Sequence, residues 1–269
     1  MPEPIIAVRD LTVSYGNQRV LDHLNLDIAR GEIMVLLGGS GSGKSTMIRH
    51  IIGLERPQGG TILVQGVDVN RCSANALRAV RRTMGVVFQE AALFNSLSLE
   101  ENVALPLREL TRLGDPVIEI MVYIKLALVG LGEAEKLMPQ QLSGGMKKRA
   151  AVARATAIDP EILVFDEPSA GLDPIVAAEM DDLILLLKRT FNMTQLVVTH
   201  ELASAFRIAD RIAMLYDGSL IAVDQKDAFR ASTDPHVRQF LDRIPDHILD
   251  NDAFQRHLRQ LGGFTGTRE

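Results

Sequence analysis

Gly38-Gly39-Ser40-Gly41-Ser42-Gly43-Lys44-Ser45-Thr46 follows the apolar run Ile33-Met34-Val35-Leu36-Leu37 and precedes Met47-Ile48-Arg49-His50-Ile51-Ile52. The first flank reads as a buried strand, the second as a helix ending at Gly53. A glycine-rich loop between strand and helix is the context of a phosphate-binding loop, and Gly38, Gly43, Lys44 and Ser45 fill its four fixed positions. Phosphate oxygens need many N–H donors at short range. Glycines let successive N–H groups curl inward as an anion nest, and a helix starting near Lys44 adds the positive end of its dipole. Lys44 then reaches the β- and γ-phosphates and Ser45 places its hydroxyl on Mg²⁺. The competing reading is a flexible Gly/Ser linker. The four positions match by chance in about one chain in a hundred of this length, and a linker does not sit between an apolar strand and an apolar helix.

The rest of the 269 residues supports one large α/β domain with room for a subdomain: 46% are hydrophobic. The net charge is −5, and 4% aromatics with no Trp leave little for stacking on bases, so nucleic acid is not an expected partner. One cysteine, Cys72, excludes a disulfide framework and a thiolate metal cluster. Met1-Pro2-Glu3-Pro4 lacks the basic start and apolar core of a signal. The longest apolar stretch, Val117 to Leu131, carries Glu119 and Lys125 and is too short for a bilayer. The expectation is a soluble protein that meets membranes only through a partner.

Outward from the loop, Ile5 to Val8 and Leu11 to Tyr15 read as two strands and Val20 to Ile28 as a third, with Gly16-Asn17 as a turn. Tyr15 serves either strand packing or stacking on an adenine ring. Thr61 to Val64 reads as a strand, and Ala74 to Arg82 as a basic helix, with Arg71, Arg78, Arg81 and Arg82 on a solvated face. Met84 to Phe88 is an apolar strand that ends at Gln89, where open α/β sheets bind ligands.

Residues 90–160 lose strand signals and take on helical periodicity. Leu97 to Leu107 predicts a short helix running to Pro106. Asp115 as N-cap with Pro116 opens another, whose stripe of Val117, Ile120, Met121, Ile124, Leu128 and Val129 is expected to face a core. After Leu142-Ser143-Gly144-Gly145-Met146, Lys147 to Ala157 predicts a helix. Its serine-glycine start is either a second anion nest, with Lys147, Lys148 and Arg149 in the first turn, or a plain cap.

The strand Ile162 to Phe165 ends in Asp166 and Glu167. Asp166 is placed to hold Mg²⁺, and Glu167 to orient or deprotonate a water. Asp173 with Pro174 opens a helix, Leu196 to Thr199 is a buried strand ending at His200, Ala203 to Ala209 a helix, and Ile212 to Val223 a hairpin turning at Asp217-Gly218. Asp234-Pro235 begins a terminal helix. A second amphipathic segment holds Phe254, Leu258 and Leu261, and Gly262 to Glu269 reads as a disordered tail.

Together these stretches resemble the ABC transporter ATPases over about residues 5–225. Gly38 to Thr46 (Gly38, Gly39, Ser40, Gly41, Ser42, Gly43, Lys44, Ser45, Thr46) is similar to Walker A, Gln89 to the Q-loop, and Leu142 to Met146 to the signature LSGGQ. Ile162 to Asp166 with Glu167 is similar to Walker B and its catalytic glutamate, Ser169 to Asp173 to the D-loop, His200 to the switch histidine and Tyr15 to the adenine-stacking A-loop. Met146 replaces the usual Gln. It resembles the Mla/MCE-type phospholipid-transport ATP-binding proteins, as do Gln89 to Glu109 and Val237 to Leu241. The ordinary D-loop departs from the spelling often seen in that subgroup.

The resemblance implies a P-loop NTPase (RecA-like) α/β core with an N-terminal antiparallel β subdomain. Residues 1–88 with 160–225 form that core, 89–159 an inserted helical signature subdomain, and 226–269 a C-terminal helical extension. It implies ATP and Mg²⁺, the metal held by Ser45, Gln89 and Asp166. Lys44, Gln89, Glu167 and His200 carry hydrolysis, and a head-to-tail homodimer lends Ser143, Gly144, Gly145 and Asp173 to the partner's nucleotide. It implies a membrane permease, an MCE-type lipid-binding protein, a small accessory regulatory subunit, and a place on the cytoplasmic face of the inner membrane. The alternatives are an importer of polar small molecules such as amino acids and a non-transport ABC ATPase.

Overall fold

A computed structural model describes residues 3–245; the expected segment around Phe254, Leu258 and Leu261 and the tail from Gly262 lie outside them. Residues up to Ser232 pack as one unit, and Thr233 onward belong to a second. In the first unit the strands β1 (Ile6–Tyr15), β2 (Gln18–Ile28), β4 (Gly59–Val64) and β5 (Val67–Asp68) form an antiparallel sheet in the order β2-β1-β4-β5. The second sheet has the order β10-β9-β3-β8-β7-β6, from β3 (Ile33–Leu37), β6 (Met84–Val87), β7 (Ile162–Asp166), β8 (Thr194–Thr199), β9 (Arg211–Tyr216) and β10 (Ser219–Gln225). It is parallel except for the β9–β10 hairpin.

Every residue of β3 and β8 is buried. That is why these strands read as unbroken apolar runs rather than alternations: both faces are covered. Helix α1 (Lys44–Ile51) fills the space between the sheets. Its Met47, Ile48 and Ile51 share one core with Leu11 and Ile62 of the first sheet and Leu36 and Val198 of the second. The remaining helices are α2 (Ala74–Arg82), α3 (Leu99–Leu110), α4 (Asp115–Leu128), α5 (Gly144–Ala155), α6 (Pro174–Phe191), α7 (Leu202–Ile208) and α8 (Lys226–Arg230), with α9 (Pro235–Leu241) in the second unit. Asp234 caps α9 by accepting from the N–H groups of His236 and Val237. Helices α3, α4 and α5 pack on one another.

Six expectations change. Helix α4 is capped by Gly114, and Asp115, expected as its N-cap, is its first residue. The two strands expected across residues 5–15 are one: Asp10 adopts φ 52, so the polar pair Arg9-Asp10 makes a bulge and shifts the register without ending pairing. Arg71 precedes α2 and lies 3.7 Å from Asp68. Pro106 lies inside α3, which continues to Leu110. The lost N–H bond is outweighed by the buried Leu99, Val103 and Leu107 and by a Ser98–Glu101 capping box. Helix α5 starts three residues early, at Gly144, so Lys147, Lys148 and Arg149 stand past its first turn. Finally, the stripe assigned to α4 faces inward only in part: Val129 is buried and Met121 and Leu128 are half-buried. Val117, Ile120 and Ile124 are exposed, and Ile118, Val122 and Leu126 are buried. This helix is apolar on nearly every side, so periodicity alone does not select the inward face.

Gly85 fixes how the signature helix seats on the sheet. A Cβ there would stand 2.3 Å from the carbonyl oxygen of Ala155 at the end of α5, a backbone atom that cannot turn aside. Gly85→Ala should cost about 1–3 kcal/mol, read as a lower thermal unfolding midpoint.

Candidate functional site

Neighbouring parallel strands release their chains at one edge, so the order β3-β8-β7-β6 sets four loops in a row. They carry Gly38 to Gly43 after β3, His200 after β8, Glu167 after β7 and Gln89 after β6. The register aligns them: Leu37 pairs with Thr199, and Asp166 with Val198.

Two positions of the glycine loop admit no side chain. A Cβ on Gly38 would meet the Leu215 carbonyl oxygen at 2.4 Å and Ser42 Oγ at 2.7 Å. Gly43 combines φ 104 with a contact of 2.6 Å to Leu21. Gly39 is open, and Gly41 needs its freedom for φ 77. Ser42 Oγ is buried without a hydrogen-bond partner. A buried orphan hydroxyl is costly unless a ligand completes it. It points to an acceptor-rich group such as a phosphate in a loop that already offers the free N–H groups of the first turn of α1.

Lys44 is buried, and its ammonium donates to the carbonyl oxygens of Gly38 (2.9 Å) and Gly39 (2.8 Å). Burial pushes its pKa down, against the pull of the Glu167 and Asp166 carboxylates. Ser45 Oγ donates to Asp166 Oδ1 at 3.2 Å. Burial raises the Asp166 pKa and the charge of Glu167 adds to this, while Ser45 and Lys44 oppose it. A hydroxyl beside one carboxylate suits Mg²⁺, which takes one or two protein oxygens and completes its shell with phosphate and water. Asp166 carries a desolvation cost that this role explains. Asp166→Asn should raise the thermal midpoint of the nucleotide-free protein by about 2–4 °C while Mg²⁺-dependent ATP turnover collapses.

Glu167 is buried at φ 51, a left-handed conformation costly for a non-glycine residue. Its N–H continues the sheet to the Val198 carbonyl (2.9 Å), and its Oε2 lies 2.9 Å from His200 Nδ1. The His200 ring is otherwise open to solvent, leaving Nε2 free. A carboxylate held against a histidine at a phosphate loop can orient a water and take its proton.

Tyr15 ends β1 half-exposed, its hydroxyl bonded to Glu55 and close to Thr46 of α1. That hydrogen bond raises the phenol pKa, with burial next. Its ring therefore stands beside the loop with a free face. Gln89 is exposed just past β6, and no bond joins it to Ser45 or Asp166. The segment after it is held from elsewhere: Ala91 and Ala92 are at φ 60 and 50, and Arg154 donates to both their carbonyls. Asn102, fully buried, bonds the backbone of Phe94, Leu97 and Ser98.

Among the described residues no hydrogen bond joins Ser143, Gly144 or Gly145 to the glycine loop; their neighbours are on α5, α6 and the turn before α6. Ser143 caps α5, accepting from the Met146 N–H at 3.3 Å, and is exposed along with Gly144. Gly145 is packed so that a Cβ would stand 2.6 Å from Val176 on α6. Asp173 caps α6 through the N–H groups of Ile175 and Val176, its carboxylate at the surface. One of the basic residues expected to accompany an anion does otherwise: Lys148 points inward and donates to the carbonyls of Glu167 and Ala170.

The family profile for ABC transporters matches residues 21–170, more than half of the chain and all of it from the strand before the glycine loop to the residues after Glu167. The chain belongs to the ABC transporter family. As an ABC ATPase it binds ATP with Mg²⁺ and hydrolyses it. It is 41% identical over 242 residues to the intermembrane phospholipid transport ATP-binding protein MlaF of Escherichia coli K12, covering 90% of each chain. It is 44% identical over 236 residues to the probable ribonucleotide transport ATP-binding protein mkl of Mycobacterium leprae, covering 88% of this chain and 68% of that one. Among solved structures it resembles the dimeric ATP-binding cassette MJ0796 in a post-hydrolysis state bound to ADP and Pi. There the TM-score is 0.76 and the identity 31%, over 82% of this chain and 98% of that one. Among the described residues of this ABC ATPase, no helix is long and apolar enough to cross a membrane.

Proposed function

We propose that this ABC ATPase drives phospholipid transport through a membrane permease working with an MCE-type lipid-binding protein. The observation that carries the reading is the end-to-end match to MlaF, 90% of both chains, together with Met146 at the fifth signature position. The reading with mkl favours a polar nucleotide cargo, yet leaves about a third of that protein unmatched.

In this proposal two copies close head-to-tail over two ATP molecules. Tyr15 stacks on adenine, and residues 38–46 hold the phosphates, with Ser42 donating its orphan hydroxyl. Lys44 exchanges its carbonyl partners for β- and γ-phosphate oxygens. Ser45 and Asp166, with Gln89, are the residues that would hold Mg²⁺, which would supply neutralisation of phosphate charge there. Glu167 positions the water and accepts its proton. His200, fixed through Nδ1, turns Nε2 to the γ-phosphate. Ser143 keeps its hydroxyl hydrogen free for the partner's phosphate, because the cap uses only its lone pair. Gly144, Gly145 and Asp173 complete that half of the site.

The division into residues 1–88 with 160–225, 89–159 and 226–269 follows the same reading. The groove lined by Phe88, Phe94, Leu105, Pro106 and Leu110 receives the permease, on the cytoplasmic face of the inner membrane. A small accessory subunit completes the complex.

The test is reconstitution with the permease and MCE-type protein in liposomes, following labelled phospholipid and labelled ribonucleotide in parallel. ATP-dependent movement of phospholipid, lost with Glu167→Gln, is expected. Movement of the ribonucleotide with no lipid movement overturns the lipid reading.

A further inference from the structure

Lys148 is the one buried residue of the signature helix that carries a charge. Its ammonium does not meet a carboxylate. It donates to two backbone oxygens, Glu167 O at 3.1 Å and Ala170 O at 2.6 Å. These oxygens bracket the tight turn that follows β7, which the Ala170 N–H closes back onto Glu167 O at 3.3 Å. Glu167 is also the residue at φ 51. A strained peptide persists only where its surroundings over-determine it. Four bonds do so here: the N–H of Glu167 to Val198, its side chain to His200, and its carbonyl to both the Lys148 ammonium and the Ala170 N–H.

We infer that Lys148 is a positioning residue. It fixes the backbone of Glu167 and thereby ties the place of that carboxylate to the helix whose first turn presents Ser143 and Gly145. The inference rests on the catalytic reading of Glu167 and goes beyond it. A helix tilted by a second copy or by the permease carries Lys148 with it, and so moves the peptide of the residue that positions water. The charge matters as well as the hydrogen bonds. Burial lowers the pKa of the ammonium, and the carboxylates of Glu90, Glu201 and Glu167 oppose this. Those carboxylates stand beside Gln89, beside His200 and after β7, so one cation faces the three loops that serve hydrolysis. A neutral side chain of similar length fills the space but leaves the Ala170 carbonyl unpaired and Glu167 O with only the 3.3 Å bond from the Ala170 N–H, which loosens the turn.

The experiment compares wild type, Lys148→Met, Lys148→Arg, Glu167→Gln and the Lys148→Met/Glu167→Gln pair, measuring steady-state ATP turnover, nucleotide binding and thermal midpoint. Misplacing a reacting group by about 1 Å costs on the order of 100-fold. Lys148→Met should therefore lower kcat by about 10- to 100-fold with KM within about threefold. Lys148→Arg should restore most of the turnover, and Lys148→Met should subtract little more in the Glu167→Gln background. An inactive Glu167→Gln beside a Lys148→Met with wild-type kcat overturns the role of Lys148 alone. An active Glu167→Gln overturns the catalytic reading beneath it. A lower thermal midpoint with unchanged kcat per folded molecule also overturns the inference, because it leaves Lys148 a packing role only. Lys148→Gln, judged by the same kcat criterion, replaces Lys148→Met if that variant does not fold.

Discussion

Glu167→Gln should stop ATP turnover while leaving ATP bound. The amide keeps the size of the carboxylate and can still meet His200 Nδ1, 2.9 Å away in the native chain, in one tautomer. It cannot take a proton from water. Loss of a positioned general base costs about 10²–10⁴-fold in kcat. In the proposed site the phosphate contacts come from other residues, the glycine loop, Lys44 and Ser45, so affinity for ATP should hold within a fewfold. Single-turnover hydrolysis with equilibrium nucleotide binding on the same preparation separates the two effects. Turnover at the wild-type rate would remove Glu167 from the chemistry.

Lys44→Ala should act in the opposite way, through affinity. The Lys44 ammonium is buried at the mouth of the loop, held by two carbonyl oxygens and depressed in pKa by desolvation. An arriving polyphosphate puts negative charge in direct contact with this cation, which otherwise bonds neutral carbonyls and feels the Glu167 and Asp166 carboxylates without a hydrogen bond to either. Removing one partner of a buried charge pair costs about 2 kcal/mol or more, roughly 30-fold in Kd. Titration with a fluorescent ATP analogue should show that loss with little change in folding. Unchanged affinity would place the phosphate site elsewhere.

Much of this was legible in sequence, for identifiable reasons. Strand β3 shows itself because both its faces are buried, and the loop after it because only glycine fits at Gly38 and Gly43. The caps at Ser143 and Asp173 form as their residue types predict. What escaped depends on direction in space. Nothing in Lys147-Lys148-Arg149 says that the middle residue turns inward to backbone oxygens, since a cation near a glycine turn reads equally as an anion ligand. The left-handed backbone of Glu167 is imposed by its neighbours and carries no residue signature. Asn102, a single polar residue of α3 that carries no motif, organises the loop after Gln89 with four hydrogen bonds. In α4 the apolar surplus hid the face, leaving Val117, Ile120 and Ile124 outside.

The proposed head-to-tail dimer carries the rest of the account: among the described residues the Ser143 side chain bonds as the cap of its own helix, and no hydrogen bond joins it to the glycine loop. Sedimentation of Glu167→Gln with saturating ATP, beside Glu167→Gln/Ser143→Arg, tests it most directly. The first should run as a dimer with ATP and as a monomer without it. The second should bind ATP with similar affinity and stay monomeric. A dimer that forms equally well with arginine in place of Ser143 would contradict a site completed by the second copy.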